Sequence, residues 1–178
     1  MMQTQENEVF DLSNSVANGK PVRNHGPYSV LFGNESLEYR PGVIADPVPT
    51  GLQLLDAAGV RPLMEYQVFQ VLSNGMLERL RQDETTDLRS SGVEKFLIFR
   101  SDASYRMILD DREVEWGGKF ISGLTLKKLA GVDPVAYGVW QEMRGGGEDR
   151  LIGDKDLVDL SAPGVERFFT GLKATTEG

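Results

Sequence analysis

The residue types that usually carry chemistry are scarce in this chain. It has no cysteine, which removes disulfides, thiolate metal sites and thiol catalysis. Its one histidine, His25, lies in a polar stretch near the N-terminus, a poor place for an acid–base site. The glycine-rich run Arg144-Gly-Gly-Gly147 could suggest a phosphate loop. It lacks a following Lys-Ser/Thr and sits between strand patterns, so it reads as a hairpin turn. Glu148, Asp149, Asp154, Asp156 and Asp159 do not follow calcium-loop spacing and read as a solvated acidic loop. What remains is the end of the sequence, Gly171-Leu-Lys-Ala-Thr-Thr-Glu-Gly178. It has no apolar periodicity and closes on Glu177 and Gly178, which predicts a flexible arm. No convergent acid–base set accompanies it, so the sequence does not read as an enzyme, and no cofactor or metal of its own is expected.

The elements behind that arm are written twice. Thr50-Gly-Leu-Gln-Leu-Leu-Asp-Ala-Ala-Gly-Val60 is answered by Ser122-Gly-Leu-Thr-Leu-Lys-Lys-Leu-Ala-Gly-Val132. Each copy predicts a short helix with a hydroxyl N-cap, one apolar face and a glycine at its C-terminal end. The repeat extends on both sides. Tyr28-Ser-Val-Leu-Phe32 answers Tyr105-Arg-Met-Ile-Leu109, and Tyr66-Gln-Val-Phe-Gln70 answers Tyr137-Gly-Val-Trp-Gln141. Arg79-Leu80 answers Arg150-Leu151, and Gly92-Val-Glu-Lys-Phe96 answers Gly164-Val-Glu-Arg-Phe168. Gly51 and Gly123, and Gly92 and Gly164, share one numbering offset. That offset is too long for a solenoid unit and suits a small domain.

Each copy predicts the order β-β-α-β-β-β: a hairpin, a helix laid across the sheet, and the remaining strands. Three prolines, Pro41, Pro47 and Pro49, predict a loop between hairpin and helix. The fold class is therefore α+β, two tandem β-grasp domains over 28–100 and 105–172. Residues 1–27 form a disordered tail rich in Gln, Glu, Asn and Ser, and 173–178 form the arm. Such a sheet has one face covered by its helix and one free. Leu72, Trp140 and Met143 are the candidate partner-facing residues of that free face, although core packing is the simpler role for strand residues.

The 178 residues are 40% apolar and 26% charged, ordinary values for a globular protein. A net charge of −8 argues against holding nucleic acid through its phosphates. No apolar run reaches the roughly 18 residues of a membrane span, and no basic-then-apolar leader opens the chain. A cytoplasmic location is the expectation, with no membrane partner.

The paired motifs (Ser/Thr)-Gly-Leu-x-Leu, Ala-Gly-Val, Arg-Leu and Gly-Val-Glu-(Lys/Arg)-Phe resemble the bacterial multiubiquitin-domain proteins. The resemblance covers roughly Tyr28 to Leu172 and is closer in the second copy. It implies a ubiquitin-like protein modifier, conjugated through a C-terminal glycine, with a role in anti-phage defence. The implied partners are a ubiquitin-activating-type enzyme that uses ATP, a ubiquitin-conjugating-type enzyme, a deubiquitinase-like peptidase and target proteins. Gly178 would then be the conjugated residue. A terminal glycine suits that role because it has no side chain to obstruct a narrow enzyme channel. Glu177 departs from the diglycine of ubiquitin. The other reading is a non-covalent β-grasp module that binds a partner or assembles with itself.

Overall fold

A computed structural model describes residues 8–19, 21–90 and 93–174. The chain divides into two compact units, Met1–Asp102 and Ala103–Gly178.

The first unit opens with strand β1 (Phe10–Asp11) and helix α1 (Leu12–Ala17). The hairpin β2 (Tyr28–Gly33) and β3 (Tyr39–Ile44) follows, then helix α2 (Gly51–Ala57), a 3-10 turn at Leu63–Glu65, and strands β4 (Gln67–Val71), β5 (Leu77–Leu80) and β6 (Lys95–Phe99). The sheet runs β3-β2-β6-β4-β5, with β6 parallel to β2 and antiparallel to β4. Helix α2 forms where the repeat motif predicts it. Thr50 Oγ1 accepts from Gln53 N–H and Gln53 Oε1 accepts from Thr50 N–H, a reciprocal cap. Its Leu54 and Leu55 are buried against Val30, Phe32, Val68 and Phe96 of the sheet.

The second unit repeats the plan. It contains β7 (Tyr105–Leu109), β8 (Arg112–Trp116), β9 (Phe120–Ser122), helix α3 (Gly123–Ala130), β10 (Tyr137–Gln141), β11 (Arg150–Ile152), β12 (Leu157–Asp159) and β13 (Glu166–Leu172). Its main sheet runs β11-β10-β13-β7-β8, and β9 pairs with β12 in a small second sheet. Ser122 caps α3, and Gly131 ends it at φ 73°, a left-handed conformation that glycine adopts without steric cost. The core is formed by Met107, Leu109, Leu126, Val139 and Phe168, with Trp116 fully buried and its indole N–H donating to Phe120 O at 3.2 Å.

Three expectations are corrected. The segment before Tyr28 was expected to be disordered. Within its described residues, 8–19 and 21–27, it is instead part of the first unit. Strand β2 is paired along its whole length by β3, while β6 pairs only Leu31–Gly33 on the other edge. Strand β1 takes the vacant start of that edge, with Phe10 opposite Tyr28 and Asp11 opposite Ser29. Leu12 is then buried in the core. Arg23 ties the segment down by donating to Glu8 O, His25 O and Pro27 O at 2.7–3.0 Å while lying over the Phe10 ring. A few well-placed apolar and cationic side chains thus order a stretch whose average composition is polar.

The second correction concerns Pro41. It does not end the strand, because among the described residues β3 is paired only with β2, and an edge strand tolerates a residue without an N–H. Third, Leu72 and Met143 were placed on strands but lie just beyond them, since β4 ends at Val71 and β10 at Gln141.

Candidate functional site

Side chains alternate along β10 and β13. Val139 and Phe168 point to the helix side and are buried. Trp140 and Phe169, the next residue on each strand, therefore point to the opposite, helix-free face. They are direct cross-strand partners, and Leu151 of β11 is the partner of Trp140 on its other side. The Trp140 and Phe169 rings stack with centroids 5.7 Å apart and planes 12° apart. Phe169 is 38% and Leu151 58% exposed.

The indole lies flat because two glycines lie beneath it. Gly138 and Gly171 face each other across β10 and β13. A Cβ on Gly138 would sit 2.9 Å from Trp140 Cη2, and one on Gly171 would sit 3.4 Å from Cζ3. The result is an apolar platform edged by ion pairs: Arg167 with Glu142 at 3.3 Å and Arg106 with Glu113 at 3.4 Å. All four of these side chains are more than half exposed, so the pairs contribute little to stability and mainly define a polar rim.

Trp140 lies half-buried on the helix-free face of this sheet. Met143 is 42% exposed and lies in the hairpin turn after β10. That turn is the glycine-rich run, and Gly145 and Gly146 both take left-handed φ values, as a hairpin needs. Arg144 anchors it by donating to Pro163 O and Val165 O. Leu72 belongs to the first unit. It closes the β4–β5 turn there and is half-buried, its N–H donating to Met76 O at 2.8 Å. It is not part of the aromatic platform. Phe169 and Leu151 were missed as surface residues, although the alternation that places Phe168 in the core marks Phe169 as facing outward. In the first unit Phe69 and Leu97 hold the positions of Trp140 and Phe169 in the same register, and both are fully buried.

The second feature of the site is the exit of the chain. Strand β13 is central in its sheet, and the last described backbone bond is Lys173 N–H to Ala136 O at 2.9 Å. Leu172, Lys173 and Ala174 are exposed. Glu177 and Gly178, the expected conjugation residues, lie outside the described residues.

A buried cation supports the end of α3. Lys127 has a side chain only 3% exposed, and its Nζ donates to Asp154 Oδ1 at 2.6 Å and to Pro134 O at 3.0 Å. The hydrogen bond from Lys127 lowers the Asp154 carboxyl below the usual carboxylate range. Among the described residues no helix is long and apolar enough to cross a membrane.

The multiubiquitin family model matches residues 36–101 and 105–173, one match per unit. The chain belongs to the multiubiquitin family, as two tandem ubiquitin-like domains. No curated protein matches the chain.

Proposed function

We propose that this chain is a protein modifier, joined to target proteins through the carboxylate of Gly178, in the setting of anti-phage defence. The observation that carries this reading is the exit of the second unit. The central strand β13 delivers the chain to an exposed end, and the last described tether is the Lys173–Ala136 bond. Membership of the multiubiquitin family supports it. The defence setting rests on the family resemblance.

The chemistry asks little of the chain itself. Its carboxylate attacks the α-phosphorus of ATP on a partner activating enzyme, releasing pyrophosphate and forming an acyl-adenylate. A thiolate of that enzyme then displaces AMP to give a thioester. A target lysine amine displaces the thiol and forms an isopeptide bond, losing one proton. Having no cysteine, the chain cannot compete in thioester exchange. Deleting Gly178 is expected to remove all conjugates in cells that carry the gene together with the proposed activating- and conjugating-type enzymes, with unchanged circular dichroism and melting. Conjugates that persist after the deletion would contradict the reading.

The stacked Trp140–Phe169 pair, with Trp140 half-buried and Phe169 exposed, favours a second reading, non-covalent binding of a partner or of another copy by the helix-free face. In that case deleting Gly178 has no effect. Trp140→Ser would instead lose the bound partner in pull-down. The substitution also removes the ring stack with Phe169, worth about 0.5–1.5 kcal/mol beyond its area burial, so a melting curve must show the variant still folded.

A further inference from the structure

We infer that the edge of β7 at Tyr105 and Arg106 is a docking slot for an extended segment of a partner protein, one that carries an aromatic residue, an acid and a leucine in that order. In the first unit β6 covers the edge of β2 only from Leu31 to Gly33, and β1 fills the start of that edge. In the second unit β13 covers the edge of β7 only from Met107 to Leu109. Tyr105 and Arg106, the counterparts of Tyr28 and Ser29, have no strand beside them on that edge among the described residues. The stretch just ahead of β7 cannot fill the gap. β1 runs parallel to β2, and a parallel pair needs a connection of about a dozen residues or more. Here β6 ends at Phe99, and only Arg100 to Ser104 lead into β7.

The side chains register the same vacancy. Tyr28 is fully buried, with the Phe10 ring edge-on at 6.2 Å. Tyr105 is only half-buried. Val93 belongs to the core cluster that holds Leu12 and is 7% exposed, whereas its counterpart Val165 is 44% exposed. Val165 is held in place, since its carbonyl accepts from Arg144, which also donates to Pro163 O. The apolar seats that are filled in the first unit are thus built in the second and left exposed.

The first unit also defines the chemistry of the occupant. Phe10 N–H donates to Pro27 O at 2.9 Å, and Ser104 holds the position of Pro27 ahead of β7. Main-chain pairing gives an added strand its affinity, and the seats for its side chains give selectivity. An aromatic residue meets Tyr105, and a leucine meets Val165. The residue between them faces Arg106, as Asp11 faces Ser29. Arg106 is largely exposed, with Glu113 at 3.4 Å, so an acid there meets a cation at the surface. A second copy is the poorer occupant. Its own segment would have to leave a place where Leu12 is fully buried and Arg23 holds three carbonyls. Each copy also carries a net charge of −8, which opposes association. The slot serves the chain whether or not Gly178 is conjugated.

The test titrates the full chain into a fluorescein-labelled synthetic peptide with the sequence of residues 8–19 and follows anisotropy. Saturable binding is expected. Phe10→Ala in the peptide and Val165→Asp in the chain are each expected to weaken it about tenfold or more, with the melting temperature of the chain unchanged. Arg106→Glu is expected to weaken it about fivefold and to recover that loss with a peptide carrying Asp11→Lys. Leu157→Asp, at an exposed position of β12, is expected to bind as the parent chain does. Absence of saturable binding would overturn the slot. Parent affinity in both Val165→Asp and Arg106→Glu would overturn it as well, by placing the peptide elsewhere. Self-association of the chain in analytical ultracentrifugation, lost in Val165→Asp, would overturn the partner segment and give the slot to a second copy.

Discussion

Replacing Leu12 by alanine is expected to destabilise the first unit by about 2–5 kcal/mol, the usual cost of removing a fully buried leucine side chain. Leu12 is completely buried and belongs to the same core cluster as Tyr28, Val30 and Phe96. Its place depends on β1, which is only two residues long, and on Arg23, which holds the segment by three backbone carbonyls. Phe10 and Tyr28 meet edge to face at 6.2 Å, and the Tyr28 hydroxyl donates to Arg23 O at 2.6 Å. Arg23→Ala should therefore destabilise the same region, by about 1–3 kcal/mol, through loss of charge-assisted hydrogen bonds. Amide hydrogen exchange is the measurement to make. Loss of protection is expected in β2 and β6, with β10 and β13 unchanged. If protection in β2 survives Leu12→Ala, the segment is an appendage and not part of the fold.

The second large effect concerns Lys127. Asp154→Ala leaves its buried ammonium with the Pro134 carbonyl as its remaining described partner, and is expected to cost about 1–3 kcal/mol. Lys127→Leu should be far milder, because it removes the buried charge, and the Asp154 carboxylate it leaves is about half exposed and is solvated by water. The repeat itself supports this. Leu55 holds the same place, five residues after the N-cap, and is fully buried without an ion pair. The pair also sets a pH dependence. The Asp154 carboxyl is lowered in the folded chain, chiefly by the hydrogen bond from Lys127. Its contribution is therefore fully present above the unfolded carboxylate value of about 4 and is lost as pH falls through the folded value. Denaturant melts between about pH 6 and pH 2 should show a steeper acid loss in the parent chain than in the double variant Lys127→Leu, Asp154→Asn. Equal slopes would show that the pair adds nothing.

Much of the fold was legible because the chain states it twice. The N-caps Thr50 and Ser122, the Gly131 stop and the strand pattern on either side each rest on local chemistry, and local chemistry is what a sequence displays. The N-terminal hook was not legible. A single Leu12 in a polar run gives no periodicity, and its burial comes from a vacant length of β2 edge that exists only after folding. The β9–β12 pair was missed for a related reason. Each strand has three residues, too few for an alternation to stand out, and their pairing is long-range. Lys127 carries no local sign of burial, and only its alignment with Leu55 could have revealed it.

The candidate site was half legible. Trp140 was identifiable from alternation, and Phe169 follows from the same rule once Phe168 is placed in the core. That the first unit's counterparts Phe69 and Leu97 are buried could not be read, since both units carry large apolar residues in the same register.

The most direct measurement of the modifier reading is mass spectrometry of tryptic peptides from cells in which this chain is native. Trypsin cuts after Lys173, so a conjugated target would carry the remnant Ala-Thr-Thr-Glu-Gly, residues 174–178, on a lysine side chain. The account predicts that remnant on target peptides and its disappearance when Gly178 is deleted. Recovery of the same peptide only in free form would contradict it.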